Sequence, residues 1–431
     1  MSAQDDVLDD LEWRGLIAQS TDLDALRHEM ATGPITVYVG FDPSAPSLHF
    51  GSLLQLLTVR RLQAAGHRPL VLVGGATGLI GDPKESAERV LNPKQTVARW
   101  TEKLREQVGR FVNFDGAHGA EVVDNYDWTS GLSTIDFLRD IGKHFPVNRM
   151  LDREAVRARL DTGISYTEFS YVLLQSMDYL ELFRRHGCRL QTGGSDQWGN
   201  ITAGVELVRR VEGERVHALA TPLVTKADGT KFGKTESGTV WLDAEMTSPY
   251  AYYQFWFNSD DRDVVQLLKY FTFRSREEVA DLAEQTAQRP QARVAQRALA
   301  SDVTALTHGP EETRRVQAAA AALFGSGELR SLDERTLRAA LTEAGCRCIQ
   351  AGETMPAVVD LLVATELAPS RSAARRTIVE GGAYLNNERV AESDAVVEPR
   401  QLLHGRFAVL RKGKRTVAGV ELLHDTGAGT G

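Results

Sequence analysis

This chain of 431 residues lacks cysteine pairs, long apolar runs and an excess of basic charge. It has three cysteines, Cys188, Cys346 and Cys348. A small and odd number of cysteines does not form a disulfide framework, and it fits a protein of a reducing compartment. Cys346 and Cys348 have no second Cys or His pair at zinc-like spacing, so no metal site is expected. The apolar runs are far shorter than a membrane span, and the acidic N-terminus has no signal-peptide core. We therefore expect a cytoplasmic protein with no membrane partner.

The charge balance limits the partners that the whole surface can attract. Fifty Lys and Arg oppose 58 Asp and Glu, which gives a formal net charge of −8. An acidic total argues against a surface covered in phosphate-binding charge, but it leaves room for a local basic face. With 42% hydrophobic residues the composition is that of a globular protein, and the length predicts two or three domains.

The first third of the chain contains a strand, a helix and a second strand. Residues 35–40 (ITVYVG) alternate between two faces, which predicts a strand. Ser47 is expected to cap a helix that runs to Gly66. The continuous apolar run 69–75 (PLVLVGG) is typical of a parallel strand buried on both faces. This βαβ unit predicts an α/β fold with a doubly wound parallel sheet, a Rossmann-like domain.

The remaining pattern predicts the domain organisation. Further strands are expected at 188–192 and 218–224 with a helix at 200–210, and the chain from 248 to about 324 is helical and charged. Two short helices and hairpin strands follow residue 351. The predicted parts are a catalytic domain at 1–245, an α-helical domain at 246–330, a linker at 331–350 and a small α+β domain at 351–431.

The segment Pro43–Ser52 joins the first strand to the helix. His49 is expected in the first helical turn, where free backbone N–H groups and the helix dipole attract anions. Gly51 has no side chain, so a base or ribose can approach the backbone. His49 and Ser52 are three residues apart and share a face. The segment is either a cradle for a nucleotide or an ordinary strand-to-helix turn.

A second segment, Thr225–Gly238, places lysines among glycines. Lys226, Lys231 and Lys234 could neutralise a pyrophosphate, or they could belong to a solvated basic loop. The spacing from Gly229 to Thr235 is one residue short of a P-loop, which argues against that class of nucleotide-binding protein.

The helix predicted at 167–178 carries three polar side chains on an otherwise apolar background. Tyr171, Gln175 and Asp178 lie at i, i+4 and i+7, which places them on one face. Such a stripe usually faces solvent. A buried stripe needs hydrogen-bonding partners, which a bound amino acid could supply.

Together these segments resemble the class I aminoacyl-tRNA synthetases, and among them the tyrosyl-tRNA synthetases of bacterial type. His49-Phe50-Gly51-Ser52 resembles the H-I-G-H signature, with Ser52 in place of the second His. Lys231–Thr235 resembles the K-M-S-K-S loop, and residues 167–178 resemble the tyrosine-binding helix. The resemblance covers nearly the whole chain, and it implies tyrosine activation by ATP followed by transfer to tRNA.

The resemblance also implies roles for individual residues. The implied catalytic residues are His49, Lys231, Lys234 and Thr235. The implied ATP-binding residues are Asp42, Gly51, Ser52, Gly194, Asp196, Phe232 and Gly233. The implied tyrosine-binding residues are Tyr38, Gly40, Thr77, Asp82, Asn125, Tyr171, Gln175, Asp178, Gln191 and Gln197. Asp178 and Tyr38 would bind the phenol, Tyr171 and Gln175 the ammonium group, and Asn125 could instead contact the adenylate. A phenylalanine would leave the two phenol partners unpaired, so it would be rejected.

The last part of the chain is locally basic. From Arg400 to Arg415 there are six basic residues and no acidic one, which indicates either RNA contact or a solvated strand. Residues 355–415 resemble a small RNA-binding module that ends many bacterial tyrosyl enzymes. The implied tRNA-binding residues are Arg371, Arg375, Arg406, Arg411, Lys412 and Lys414.

The resemblance further implies Mg²⁺ that accompanies ATP, no tightly bound cofactor, and a homodimer. We expect the dimer interface at the apolar helix predicted around Asp136–Leu151. Two alternatives remain. A tryptophanyl-tRNA synthetase shares the fold and the ATP chemistry, although Tyr38 and Asp178 favour a phenol. A non-catalytic RNA-binding protein on the same scaffold would leave the lysines of Lys231–Thr235 without a role.

Overall fold

A computed structural model gives the architecture of the chain. It describes residues 6–84, 87–227, 229–230, 232–235, 238–325, 327–350, 354–413 and 416–423. Lys231 and Lys414, both expected site residues, lie outside the described residues, and at Lys234 and Thr235 only the backbone is described. The chain forms two compact units, Met1–Thr247 with Ser259–Leu299 and Ser248–Asn258 with Ala300–Gly431.

The first unit is built on a six-stranded sheet. Its strands are β1 (Gln19–Ser20), β2 (Thr36–Phe41), β3 (Arg68–Val73), β4 (Glu121–Asp124), β5 (Cys188–Gly194) and β6 (His217–Thr221). The spatial order is β1-β6-β5-β2-β3-β4, in which β2 to β6 are parallel and β1 pairs antiparallel with β6. Every residue of β6 and all but the first of β3 are buried, as expected for central parallel strands. A separate two-stranded hairpin joins β7 (Lys234–Thr235) to β8 (Gly238–Thr239).

Helices connect these strands. They are α1 (Val7–Arg14), α2 (Leu23–Thr32), α3 (Phe50–Ala64), α4 (Lys94–Val108), α5 (Tyr126–Thr129), α6 (Thr134–Asp136), α7 (Val147–Leu151), α8 (Glu154–Arg157), α9 (Tyr166–Phe169), α10 (Tyr171–His186) and α11 (Trp198–Glu212). The expected doubly wound α/β fold is confirmed, and α9 and α10 together match the helix predicted at 167–178, interrupted only at Ser170.

The start of α3 differs from the prediction. The N-cap is His49, whose Nδ1 accepts the backbone N–H of Gly51 at 3.1 Å, and not Ser47. The helix begins late because residues 48–50 are paired with a distant segment: Leu242 donates its N–H to the Leu48 carbonyl, and Phe50 donates its N–H to the Val240 carbonyl. His49 therefore lies before the first helical turn and not within it.

The apolar helix predicted around Asp136–Leu151 is also interrupted. After α6 the chain makes a π-helical turn at Phe137–Ile141 and a 3-10 turn at Gly142–His144, and α7 starts after Pro146. Proline lacks a backbone N–H and its ring blocks the preceding turn, so one continuous helix cannot pass this point.

The chain after Thr247 is helical, as predicted. It forms α12 (Pro249–Phe257), α13 (Val264–Phe271), α14 (Arg276–Gln288), α15 (Val294–His308) and α16 (Pro310–Leu323). The structure does not gather them into one domain, because Ser259–Leu299 belongs to the first unit.

The second unit ends in a five-stranded sheet. Its elements are α17 (Glu334–Glu343), β9 (Arg347–Gln350), α18 (Val358–Ala364), α19 (Arg371–Val379), β10 (Ala383–Leu385), β11 (Glu388–Arg389), β12 (Phe407–Lys412) and β13 (Thr416–Leu423). The order is β11-β10-β12-β13-β9, with β9 parallel to β13 and the other pairs antiparallel.

The linker expected at 331–350 is not found. Asp333 caps α17 by accepting the Thr336 N–H, and Leu337, Ala340 and Leu341 bury one face of this helix. The strand β9 pairs with β13, so the segment is part of the C-terminal fold. Within the described residues no helix is long and apolar enough to cross a membrane.

Candidate active site

The strand order of the first sheet reverses between β2 and β5. Open parallel sheets bind ligands at such a point, in the crevice outside the carboxyl ends of the strands. A cavity of about 620 Å³ lies here. Its walls include Tyr38 and Gly40 of β2, Gln191 of β5, and Asp178 of α10. The chain thus brings into one cavity residues that the sequence separates by more than 100 positions.

One end of the cavity holds a buried carboxylate. Asp178 is 1% exposed and accepts hydrogen bonds from Asn125 Nδ2 at 3.0 Å and Trp128 Nε1 at 2.9 Å. Burial raises the pKa of Asp178 to about 7, against the two hydrogen bonds, which lower it. Tyr38 is 1% exposed, and burial together with the charge of Asp178 raises the pKa of its phenol. A carboxylate and a phenol therefore face the same space.

A second carboxylate is held by hydroxyl donors. Asp42 follows β2 directly and accepts hydrogen bonds from Thr77 Oγ1 at 2.6 Å and from the Tyr171 hydroxyl at 2.7 Å. Burial raises the pKa of Asp42 to about 6. Gly74 makes this approach possible, because a Cβ there would lie 2.2 Å from Thr77 Oγ1 and 2.3 Å from Asp42 Oδ1.

Asn125 joins the two carboxylates. Its Oδ1 accepts the Ala76 N–H at 2.7 Å, which fixes the amide so that Nδ2 donates to Asp178 and, at 2.9 Å, to Thr77 Oγ1. Asn125 is fully buried and follows β4. Its side chain is therefore occupied in holding other residues of the cavity.

A third network surrounds Asp82. Its carboxylate accepts hydrogen bonds from Gln197 Nε2 at 2.9 Å and Asn200 Nδ2 at 3.1 Å, at the start of α11. Asn200 Nδ2 also donates to Gln197 Oε1, and Asn200 Oδ1 accepts from Arg153. Asp82 and Gln197 were both expected in the tyrosine site, and the structure brings them together.

Three amide oxygens in the cavity wall lack a partner among the described residues. They are the buried Oε1 atoms of Gln55, Gln175 and Gln191. Buried polar atoms are nearly always hydrogen-bonded in folded proteins, so an orphaned acceptor in a cavity wall is a candidate ligand contact. Gln175 was expected to accept from an ammonium group, whereas Gln55 was not predicted as a site residue.

The segment that bears His49 and the chain around the lysine-rich segment Thr225–Gly238 meet in another part of the cavity wall. Beyond the backbone pairing already described, residues 49 and 241 form a bridge and the rings of His49 and Trp241 lie 6.3 Å apart. Phe232 packs edge-on against Phe50, with ring centroids 5.7 Å apart. Gly233 has φ +84°, and a Cβ there would lie 1.7 Å from the Phe50 ring, so only glycine fits.

The surroundings of His49 favour the neutral form of its ring. His49 lies at the cavity surface, but the surrounding protein removes much of its water, and this partial burial lowers its pKa. Because Nδ1 accepts the Gly51 N–H, the neutral ring carries its proton on Nε2. Gly51, Ser52, Gly194 and Asp196, which were expected to bind ATP, also line the cavity.

Arg89, Trp128 and Asn200 were missed by the sequence analysis. Arg89 lines the cavity and donates from Nε to the Asp82 carbonyl at 2.6 Å. Trp128 and Asn200 act through the carboxylates that they bind. No periodicity marks these residues; a basic side chain seven residues after Asp82 was the one available signal for Arg89.

The expected RNA-binding residues lie in the second unit with different exposures. Arg371 and Arg375 are exposed on α19, and Lys412 is exposed at the end of β12. Arg371 also forms an ion pair with Asp360, with 2.6 Å between Nε and Oδ1. Arg406 bonds Glu334 and lies 3.7 Å from Glu421. Arg411 is 9% exposed, stacks 4.0 Å over the Tyr384 ring and donates to the Gly413 carbonyl. Arg406 and Arg411 thus have structural partners inside the unit.

Comparisons with known proteins show the family of the chain. Residues 30–325 match the family described as tRNA synthetases class I (W and Y), and residues 343–418 match the tyrosine–tRNA ligase SYY-like C-terminal domain. A tyrosine–tRNA ligase of Streptomyces avermitilis is 61% identical over 420 residues, which cover 97% of this chain and 99% of that protein. The chain belongs to the tyrosine–tRNA ligase family.

Another tyrosine–tRNA ligase, from Kineococcus radiotolerans, is 62% identical over 416 residues, covering 96% of this chain and 98% of that protein. Among solved structures, a C-terminally truncated mitochondrial tyrosyl-tRNA synthetase of Aspergillus nidulans aligns with a TM-score of 0.67 at 29% identity, over 73% of this chain and 93% of that one. A tryptophanyl-tRNA synthetase of Encephalitozoon cuniculi aligns with a TM-score of 0.54 at 13% identity, over 77% of this chain and 89% of that one, which shows a shared fold alone.

Proposed function

We propose that this member of the tyrosine–tRNA ligase family activates L-tyrosine with ATP and transfers it to the 3′ end of its tRNA. The observation that carries the proposal is one continuous cavity. It has the paired His49 and Phe232 segments at one end and the buried Tyr38–Asp178 pair at the other. A nucleotide and an amino acid can therefore meet in it.

The amino-acid end suits a phenol and an ammonium group. Asp178 can accept the substrate phenol proton while the Tyr38 hydroxyl supplies a second partner. Asp42 was expected to contact ATP, but it is bonded by Thr77 and Tyr171, so we assign it to the amino-acid end. Asp42 and the Gln175 oxygen can accept from the ammonium group, and the Tyr171 oxygen, which donates its own proton to Asp42, keeps a lone pair for the same purpose. Thr77 and Asp82 are assigned to the neighbourhood of the ammonium group, and Gln191 and Gln197 to the substrate carboxylate. Asn125 holds Thr77 and Asp178 in place.

The first chemical step needs no protein nucleophile. The tyrosine carboxylate, already an anion, attacks the α-phosphorus of ATP, forming an acyl–phosphate bond while the bond to the β-phosphate breaks and pyrophosphate leaves. Catalysis then depends on positioning and on stabilising the charge that grows on the phosphates. A hydroxyl of the tRNA 3′-terminal ribose then attacks the activated carbonyl carbon and forms an ester bond. The acyl–phosphate bond breaks, the hydroxyl proton passes to the phosphate group, and AMP leaves.

His49, Lys231, Lys234 and Thr235 supply the phosphate contacts in this proposal. The neutral His49 ring donates from Nε2 to a phosphate oxygen, and the lysines neutralise pyrophosphate charge. Ser52 can donate a hydrogen bond but cannot carry charge at neutral pH, so the electrostatic contribution rests on the lysines.

Mg²⁺ is proposed to enter with ATP. No cluster of three or more His, Cys, Asp or Glu side chains suited to a metal occurs among the described residues. An Mg²⁺ ion that arrives with ATP would keep several of its waters and be held mainly by the substrate phosphates, whose charge it would neutralise.

A tryptophanyl-tRNA synthetase is the competing function, because the matching family includes both specificities. An indole ring has one N–H donor, so the Tyr38 hydroxyl would be left without a substrate partner. The Tyr38–Asp178 pair therefore favours tyrosine.

Amino-acid-dependent exchange of pyrophosphate into ATP, measured with each common amino acid, tests this function. We expect exchange with tyrosine and almost none with phenylalanine or tryptophan, because only tyrosine satisfies both phenol partners. Exchange with tryptophan alone would show that the chain is specific for tryptophan. An absence of exchange with every amino acid would support a non-catalytic RNA-binding protein.

We further propose that the exposed basic side chains of the second unit bind tRNA. Arg371, Arg375 and Lys412 are the exposed candidates, whereas Arg406 and Arg411 have partners inside the unit. Removing residues 351–431 would be a poor test, because it would take β13 away from β9.

Charge reversal tests the tRNA surface without breaking that sheet. The double variant Arg375→Glu/Lys412→Glu is expected to lower tRNA charging and its salt dependence, with the neutral Arg375→Gln/Lys412→Gln variant in between. Adenylate formation, measured on the same samples, should stay normal and controls for folding. Equal tRNA charging by the unaltered chain and the two variants would contradict the proposal that this face contacts RNA.

A homodimer is proposed as well. The stretch from Leu132 to the end of α7 exposes several large apolar side chains, namely Leu132, Ile135, Leu138, Val147 and Leu151. Clusters of exposed apolar side chains mark interaction surfaces more often than isolated ones do.

Light scattering at micromolar concentration tests the dimer. The expected mass is about twice the 47.4 kDa of one chain. Val147→Asp (61% exposed) should shift the protein towards the monomer, because a charge would be buried in the interface, while Val379→Asp (73% exposed) should not. A monomer for the unaltered chain would contradict the proposal.

A further inference from the structure

The chain that follows the turn after β3 carries two charged side chains into the cavity. These are Asp82 and Arg89, at the two ends of a segment of which residues 82–84 and 87–89 are described. Arg89 Nε donates to the Asp82 carbonyl at 2.6 Å, so the ends of the segment touch. The position of either side chain therefore depends on what holds this segment.

A buried arginine outside the cavity wall bonds both parts of the segment. Arg159 is 5% exposed. Its Nη1 donates to the Lys84 carbonyl at 3.1 Å, and its Nη2 donates to Glu88 Oε2 at 2.9 Å. One rigid guanidinium thus fixes the distance between the start and the end of the segment.

The same arginine links the segment to α9, the short helix directly before α10, and α10 bears the candidate tyrosine contacts. Arg159 Nη1 also donates to Glu168 Oε2 at 3.1 Å, and Glu168 is 1% exposed. The other oxygen, Glu168 Oε1, accepts the backbone N–H of Arg89 at 2.5 Å. Glu168 lies in α9, three residues before Tyr171.

The buried charges of Arg159 and Glu168 depend on each other and on their hydrogen-bonding partners. Arg159 Nε donates to the Gly163 carbonyl, so all of its nitrogens have partners, and both oxygens of Glu168 are used. Removing one member of such a pair leaves the other charge buried and uncompensated. Ser165, which donates to Glu88, adds a further tie between the same two parts of the chain.

We propose that Arg159 is a positioning residue for adenylate formation. It holds Lys84, Glu88 and Arg89 against α9, so that Asp82 and the Arg89 guanidinium, a group suited to phosphate, keep their places in the cavity wall. The catalytic part of this inference rests on the proposed function, while the positioning part concerns the segment alone.

Hydrogen exchange followed by mass spectrometry tests the positioning part. In Arg159→Met, peptides that cover residues 84–92 should exchange faster than in the unaltered chain, because the Arg89 N–H loses a fixed acceptor. Peptides from α11 should not change. Arg157→Met, an identical change at an exposed arginine two residues earlier, is the control. Unchanged exchange at 84–92 would overturn the proposal whether or not the protein is active.

Single-turnover adenylate formation tests the catalytic part. Arg159→Met should slow the step by roughly 10- to 100-fold and raise the KM for ATP, because a misplaced contact group costs about this much. Tyrosine affinity, measured separately by equilibrium binding, should change less, because Gln197 and Asn200 still hold the Asp82 carboxylate. A general loss of folding would instead weaken the binding of both substrates equally. That result would mean that Arg159 contributes to stability alone.

Glu88→Gln provides a second route if Arg159→Met does not fold. Glu88 is 46% exposed, so this change weakens the bond to Arg159 without emptying a buried site. It should speed exchange at 84–92 and slow adenylate formation in the same direction by a smaller factor. If the unaltered chain forms no adenylate, the proposed function fails, and the exchange result still decides whether Arg159 holds the segment.

Discussion

Between β2 and β5 the connections of the first sheet leave in opposite directions, and the carboxyl ends of the parallel strands border one crevice. Asp42 follows β2, Gly74 follows β3 and Asn125 follows β4, so each strand delivers a residue of the site to the same edge. The strands themselves are held by buried apolar side chains and need no contribution from the site. Polar residues can therefore accumulate at this edge although they contribute little to the stability of the fold.

The price of this arrangement is two carboxyl groups in a poorly hydrated cavity. Burial disfavours their charged forms, and the pKa values of Asp42 and Asp178 rise to about 6 and about 7. Thr77, Tyr171, Asn125 and Trp128 donate hydrogen bonds that offset part of this effect. A ligand with an ammonium group and a phenol would donate further hydrogen bonds to the two carboxylates. The free-energy cost of burying their charges would therefore favour binding of such a substrate.

The sequence predicted features that depend on neighbours along the chain. Alternation gave β2, the apolar run gave β3, and helical spacing placed Tyr171, Gln175 and Asp178 on one face. The start of α3 could not be predicted in this way, because the chain at His49 pairs with residue 241, almost 200 positions away.

Composition alone does not predict the structure of residues 331–350, which form α17 and β9. Glycine, serine and charge in the surrounding chain resembled a linker, whereas the buried face of α17 is formed by only a few small and medium apolar residues. Arg89 and Arg159 were missed for a different reason: their roles are set by contacts with Asp82, Glu88 and Glu168, which only the tertiary fold brings together.

The most direct test of this account is the number of protons released when tyrosine binds. Between the two pKa values, at about pH 6.5, both Asp42 and Asp178 carry part of a proton in the free protein. Donors from the substrate favour the ionised carboxylates, so binding should lower both pKa values and release up to roughly one proton. Calorimetric titration in two buffers with different ionisation enthalpies measures this number, and Asp178→Asn should reduce it. Proton uptake, or no release, would contradict the claim that two buried carboxylates bind the substrate's ammonium and phenol groups.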